Sequence, residues 1–343
     1  MKRHLNTLFV ATQGAYLAKE GEAVVVKVEK QAALRVPVHT LGGIVCFGNV
    51  SCSPFLLGLC GERDVAVSFL TENGRFLARA HGYTSGNVLL RRAQYRRADD
   101  PAGSAEVARA VVAAKIANSR AVLLRAGRDH PERAAPERLG RSVAVLERCV
   151  VSVRGAASLD ELRGIEGEAA RAYFDVFDHL VTAQKDDFAF RGRSRRPPLD
   201  RMNALLSFLY SMLAHDVRAA CEAAGLDPAV GFLHRDRPGR PGLALDLMEE
   251  LRAFLADRLA LSLVNRRQVQ ASGFRVTASG GVEMDDATRK TVLVAFQKRK
   301  QEEIRHPFLG ESTTVGLLPH LQTRLLARFL RGDLDGYPPF LWR

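Results

Sequence analysis

Four side chains of this 343-residue chain have the types and spacing to do chemistry: Glu166, His234, Asp246 and Glu249. His234 ends the short apolar run Gly231-Phe-Leu-His234 and precedes a loop rich in Gly, Pro and Arg. A helix predicted to open near Leu243 carries Asp246 and Glu249 three positions apart, so both carboxylates share one helix face. If the loop folds back, His234 reaches the same spot. One nitrogen and two carboxylates beside clustered arginines suit a hard divalent cation handling a phosphate. The plainer alternative is a loop histidine beside a solvated helix face.

The third acid needs a helix to position it. Ser158-Leu-Asp-Glu161 reads as a capping box, and the helix behind it is expected to run to about Ala183. Leu162, Glu166, Ala169 and Tyr173 fall on one stripe of that helix, so Glu166 interrupts an apolar face. A carboxylate there requires a partner, whether a cation, an arginine or a proton. Asp200 is the expected N-cap of a further helix ending at Ala224 before Gly225. His215 lies on that largely apolar helix and reads as a core or interface histidine. Between these helices stand Arg191, Arg193, Arg195 and Arg196 with Phe188 and Phe190. This reads as a flexible basic loop suited to DNA backbone and splayed bases.

The balance of 50 Lys and Arg against 38 Asp and Glu gives a formal net charge of +12, which points to a phosphate-bearing partner such as nucleic acid. A GC-rich coding bias would also enrich arginine, but the basic residues cluster. With 47% hydrophobic residues and a mean hydropathy of −0.08, a soluble globular chain is expected. No apolar run is long enough for a membrane span and no leader-like segment opens the chain, so a cytoplasmic location is expected. The five cysteines (46, 52, 60, 149 and 221) form no CxxC pair, so reduced thiols are expected and a zinc site is not.

The expected fold class is α+β, with a small N-terminal β-rich domain over residues 1–83 followed by an all-helical catalytic domain over residues 84–343. Strand-like runs fill the first part, one helix begins at Ser53-Pro54, and Asn73-Gly74 signals a hairpin. Gly82-Tyr-Thr-Ser-Gly86 marks the boundary. Beyond it lie a basic helix with Arg91, Arg92, Arg96 and Arg97 around Tyr95, then a long helix capped by Ser104. A small hairpin is expected around Ser279-Gly280, with helices from about Asp286 and Thr313 and a Pro-rich tail at Tyr337-Pro-Pro-Phe340.

Taken together, these stretches resemble the CRISPR-associated integrase and endonuclease of spacer acquisition, the Cas-one family. The stretches that carry the resemblance are Leu162-Arg-Gly-Ile-Glu-Gly-Glu-Ala-Ala-Arg-Ala-Tyr-Phe174, Phe190-Arg-Gly-Arg-Ser-Arg-Arg-Pro-Pro198, Asn203-Ala-Leu-Leu-Ser-Phe-Leu-Tyr210, Gly231-Phe-Leu-His234 and Leu243-Ala-Leu-Asp-Leu-Met-Glu249. Phe47-Gly-Asn-Val-Ser51 and Gly86-Asn-Val-Leu-Leu-Arg-Arg-Ala-Gln-Tyr95 are similar to the family as well, and the opening Leu5-Asn-Thr-Leu-Phe-Val-Ala-Thr12 resembles members of type I-C systems. The resemblance implies a homodimer that binds a small Cas-two partner and double-stranded DNA, both fragment and repeat array. It also implies magnesium or manganese held by Glu166, His234 and Glu249, with Asp246 in support. Many relatives carry Asp at the Glu249 position, so Asp246 and Glu249 remain alternatives as the direct ligand, and Glu250 stays among them. The implied activity is insertion of short foreign fragments into a repeat array by transesterification. A structure-specific repair nuclease without an integrase role is one alternative, and a purely structural DNA-binding protein whose acids only form salt bridges is the other.

Overall fold

The computed structural model describes residues 6–72, 74–80, 82, 88–129 and 136–342. The expected turn residue Asn73 and most of the expected boundary at 82–86 lie outside these. Two four-stranded sheets build the N-terminal region. One has the order β1 (Asn6–Val10), β5 (Leu41–Phe47), β7 (Ala66–Leu70), β8 (Phe76–Ala80); the other has the order β4 (Gln31–Pro37), β3 (Ala23–Val28), β2 (Tyr16–Glu20), β6 (Ser51–Cys52). β1, β5 and β7 run parallel, and β8 closes the edge antiparallel to β7. Strand alternation divides β5 between two cores. Ile44 and Cys46 face the N-terminal core, whereas Val45 and Phe47 join the helical core. Helix α1 (Pro54–Glu62) starts as expected, with the Ser53 hydroxyl accepting from the Leu56 amide.

The remainder is mainly helical: α2 (Val88–Asp99), α3 (Pro101–Asp129), α4 (Pro136–Gly155), α5 (Leu159–Asp175), α6 (Arg201–Ala223), α7 (Gly242–Leu251), α8 (Arg258–Asn265), α9 (Asp286–Gln301) and α10 (Leu318–Leu330). Two short antiparallel ladders interrupt it. One is the expected hairpin, β9 (Phe274–Val276) with β10 (Val282–Met284); the other pairs β11 (Glu303–Arg305) with β12 (Ser312–Thr314). β12 takes the Thr313 region, so α10 begins later than expected. The sheet docks on α6, where Phe47 stacks on Phe208 at 5.9 Å between ring centres. The contact is reinforced by Arg79–Glu222 at 2.7 Å, and Lys300 of α9 bridges Asp216 of α6 at 2.8 Å to Thr7 of β1 at 3.4 Å.

Several local expectations change for identifiable reasons. Helix α3 begins at Pro101, not behind Ser104, because the Asp100 carboxylate accepts from the amides of Ala102 and Gly103 and proline fits the first turn. Helix α5 stops at Asp175, well short of Ala183. Beyond it the Asn265 side chain accepts from the amides of Thr182 and Ala183 and donates to the Leu180 carbonyl, so tertiary partners replace helical ones. The Pro-rich end is no loose tail: Tyr337 and Phe340 are buried, and Asn118 clamps the Phe340 carbonyl and the Trp342 amide.

Candidate active site

Three helices and one loop bring the chemistry together. Helix α7 supplies Asp246 and Glu249, α5 supplies Glu166, α3 supplies Lys115, and the 227–234 loop supplies His234. Gly231 lets that loop lie against α7, since a Cβ there would meet the Gly242 carbonyl carbon at 2.6 Å and an Asp246 carboxylate oxygen at 2.7 Å. The other end of the loop is held by α2. Buried Gln94 donates to the carbonyls of Asp227 and Val230 and accepts from the Asp227 amide, and the Tyr95 hydroxyl donates to the Asp227 carboxylate.

Asp246 is 1% exposed and is spent on this loop. Its Oδ2 accepts from the amides of Phe232 at 2.5 Å and Leu233 at 3.0 Å, and its Oδ1 accepts from the His234 amide at 3.0 Å. The same Oδ1 lies 2.6 Å from His234 Nδ1. An ionised carboxylate at Nδ1 places the ring proton there and leaves the Nε2 lone pair available, the usual arrangement of a metal-ligating histidine. Among the described residues, His234 Nε2 has no hydrogen-bond partner. Asp246 therefore orients the imidazole.

Glu249 is 6% exposed and sits between two cations. Arg252 Nη1 donates to its Oε1 at 2.6 Å, and Lys115 Nζ lies 2.7 Å from its Oε2. Lys115 also pairs with Glu166 Oε1, so one ammonium bridges carboxylates from α5 and α7. Burial alone would raise the Glu249 pKa, but Arg252, Lys115 and nearby His234 outweigh it and bring it down to about 2. The Lys115 ammonium is the one partner of Oε2 among the described residues. Glu250 points elsewhere: it accepts from Tyr337, Gln322 and the Phe340 amide, on the side of the docked C-terminal segment.

A divalent cation fits this donor set in chemistry, with two carboxylates and one oriented imidazole. The side chains do not converge on a single point. Among the described residues, no three His, Cys, Asp or Glu side chains are grouped closely enough to hold an ion, and Lys115 stands between the Glu166 and Glu249 carboxylates.

The basic loop is more ordered than expected. Phe188 and Phe190 are buried in an aromatic cluster with Phe174, Phe177 and Phe274 and offer no stacking surface to bases. Arg193 turns inward to Asn203 Oδ1 at 2.6 Å and Ser207 Oγ at 3.1 Å, over the Tyr210 ring. Arg191, Arg195 and Arg196 are exposed. Lys115, Arg252 and Gln94 escaped the sequence reading. For Lys115 the available signal was a lone lysine within the apolar run from Val111 to Ile116; for Arg252 it was the i+3 spacing from Glu249.

A carboxylate–imidazole set beside exposed arginines is the chemistry of an enzyme that cuts or joins phosphodiesters. The description "CRISPR associated protein Cas1" belongs to the family model that matches residues 8–298. A Chlorobaculum tepidum protein named CRISPR-associated endonuclease Cas1 1 is 57% identical over 343 residues, covering 100% of both chains. A Rhodospirillum rubrum protein named CRISPR-associated endonuclease Cas1 2 is 52% identical over 350 residues, with the same full coverage. The fold is shared with a Cas1 protein from Thermotoga maritima, with a TM-score of 0.81 at 23% identity, covering 97% of this chain and 99% of that one. It is also shared with a casposase bound to its integration product, with a TM-score of 0.85 at 22% identity, covering 99% and 95%. The chain belongs to the Cas1 family.

Proposed function

We propose that the protein is a divalent-metal-dependent DNA endonuclease and integrase of CRISPR adaptation, which inserts short foreign fragments into a repeat array by phosphodiester transesterification. The observation that carries the reading is the His234 ring, tied at Nδ1 to buried Asp246 and near Glu249, which Lys115 joins to Glu166. The endonuclease names of full-length relatives support DNA as the substrate.

Glu166, His234 Nε2 and Glu249 Oε2 would hold magnesium or manganese, with Asp246 as a positioning residue. When bound, such an ion supplies Lewis-acid stabilisation of charge on the phosphoryl oxygen and makes the attacking group more acidic. Asp246 fixes the imidazole tautomer, and Arg252 ties down Glu249 Oε1 so that Oε2 faces the site. Arg191, Arg195 and Arg196 offer charge to the DNA backbone. With water as attacker the outcome is hydrolysis. With a fragment's 3′-hydroxyl, a new P–O bond forms, and the displaced 3′-oxygen of the repeat leaves and takes a proton. The partners consistent with this reading are duplex DNA, a second copy of the chain and a small Cas2 protein. The compartment consistent with it is the cytoplasm; no helix among the described residues is long and apolar enough to cross a membrane.

The test is strand transfer of a short duplex into a supercoiled repeat plasmid, with the Cas2 partner present, in manganese or magnesium against chelator. Joined products only with the ion are expected. Undiminished joining in chelator overturns the metal reading, and cutting without joining under all conditions overturns the integrase role.

A further inference from the structure

The residue at the centre of the site is one that the proposed chemistry does not use. Lys115 lies in the third turn beyond Ala105 on α3, in an otherwise apolar stretch, with its side chain 14% exposed. Its two charged partners are Glu166 and Glu249. Two carboxylates drawn from different helices would repel each other in a poorly solvated site, and an ammonium between them removes that cost. With Arg252 on the far oxygen of Glu249, Glu166 and Glu249 together face two positive charges without any metal.

We infer that Lys115 is the resident counter-ion of the site, that it competes with the divalent cation for Glu166 and Glu249, and that it is released to the substrate phosphate when the cation enters. This rests on the metal-site reading above. Three observations carry it. The ammonium stands between the two carboxylates that would ligate an ion, and no ion-holding group of side chains forms among the described residues while it is there. Its contact with Glu249 Oε2 is a single ion pair at 2.7 Å, and a divalent cation brings twice the charge to that oxygen. A cavity of about 20 Å³, room for roughly one water, is lined by Lys115, Ser119, Tyr173 and Arg252, so the flexible four-carbon stem can shift without opening the core. Once displaced, the ammonium needs a new anion; Asp257 at the same cavity is already taken by the Tyr173 and Tyr210 hydroxyls, and a phosphodiester arriving at the same ion supplies one.

The experiment is titration of metal-free, full-length protein with Mn2+, with free ion followed by electron paramagnetic resonance. The proteins compared are wild type, Lys115→Met, Lys115→Arg, Glu249→Gln and the double variant Lys115→Met/Glu249→Gln. Lys115→Met should bind Mn2+ about tenfold or more tightly, Lys115→Arg should bind no more tightly than wild type, and both proteins carrying Glu249→Gln should lose the site. Melting curves guard against a misfolded variant: Lys115→Met should melt lower than wild type without metal, and Mn2+ should raise its melting temperature by more. Affinity for a short DNA duplex supplies the second half of the test. Loss of one phosphate contact should weaken Lys115→Met about threefold or more in Mn2+ and leave it at wild-type affinity in chelator. Unchanged or weaker Mn2+ binding by Lys115→Met, with Glu249→Gln still abolishing it, overturns the competition and leaves the metal site standing. An equal loss of DNA affinity with and without Mn2+ overturns the release to phosphate. Wild-type Mn2+ affinity in Glu249→Gln removes the metal site itself, and this inference with it.

Discussion

Replacing Asp246 by Asn preserves side-chain shape and removes the charge that organises the histidine loop. The native carboxylate, 1% exposed, accepts from three backbone amides and the His234 ring within 2.5–3.0 Å. An asparagine offers one acceptor oxygen, so its NH2 must face at least one of these donors. A hydrogen bond to a charged group contributes about 1.5–3 kcal/mol, and an orphaned buried donor costs about 1–3 kcal/mol. Because the contacts act as a unit, a net loss of about 3 kcal/mol is expected. Unfolding entropy near 2.1 cal/mol/K per residue converts this to a fall in melting temperature of about 4 °C for a chain of this length. The imidazole also loses its fixed tautomer, and losing such a partner typically costs about 10–100-fold in metal affinity or activity. Urea or thermal melts give the first number, and Mn2+ titration with strand-transfer rates gives the second. A folded Asp246→Asn protein with wild-type stability, metal affinity and turnover would refute the assignment of Asp246 as the orienting group.

His215 carries a pH signature of its own: burial, then Arg79, lower its pKa to about 4, with Asp216 opposing. The unfolded chain protonates this histidine first, so its contribution is present above about pH 6.5 and is lost as pH falls toward 4, by at most about 3 kcal/mol. His215→Gln should flatten stability over that window in melts at stepped pH, and an unchanged slope would place the sensitivity elsewhere. In the basic loop, Ala at Arg191, Arg195 and Arg196 should weaken DNA binding with a shallower salt dependence. Arg193→Ala, which removes contacts to Asn203 and Ser207, should mainly lower the melting temperature. A steep salt slope in the triple variant, or a stable Arg193→Ala protein with reduced DNA affinity, would reverse these roles.

The acids and histidine of the candidate site could be picked out from the sequence because they sit on strong local signals. Glu166 breaks an apolar helical stripe, Asp246 and Glu249 share a face, and His234 ends an apolar run before a Gly- and Pro-rich loop. Helix starts at Ser53, Ser158 and Asp200 were readable because each side chain caps a backbone amide three residues on. What escaped depends on distant partners. The choice between Asp246 and Glu249 turns on which carboxylate meets the loop amides, a contact 12–14 residues away in sequence. Lys115 meets Glu166 and Glu249 from a third helix, and Asn265 ends α5 early from the far side of the fold. Phe188 and Phe190 looked like a base-stacking loop because alternating aromatics and arginines do not reveal which of them faces inward. The docking of Phe340 against Asn118 and Glu250 likewise has no local signature.

The most direct measurement compares His234→Ala with His215→Ala for melting temperature, duplex affinity and strand-transfer rate in manganese. His234 is held by Asp246 and lies near Glu249, whereas His215 on α6 lies among Arg79, Asp216, Arg218 and Lys300. His234→Ala should stay folded, keep much of its phosphate-driven DNA affinity and lose turnover. His215→Ala should lose on the order of 1–3 kcal/mol of stability while its folded fraction stays active. Near-normal turnover by His234→Ala, beside a folded and inactive His215→Ala protein, would contradict the placement of the catalytic centre.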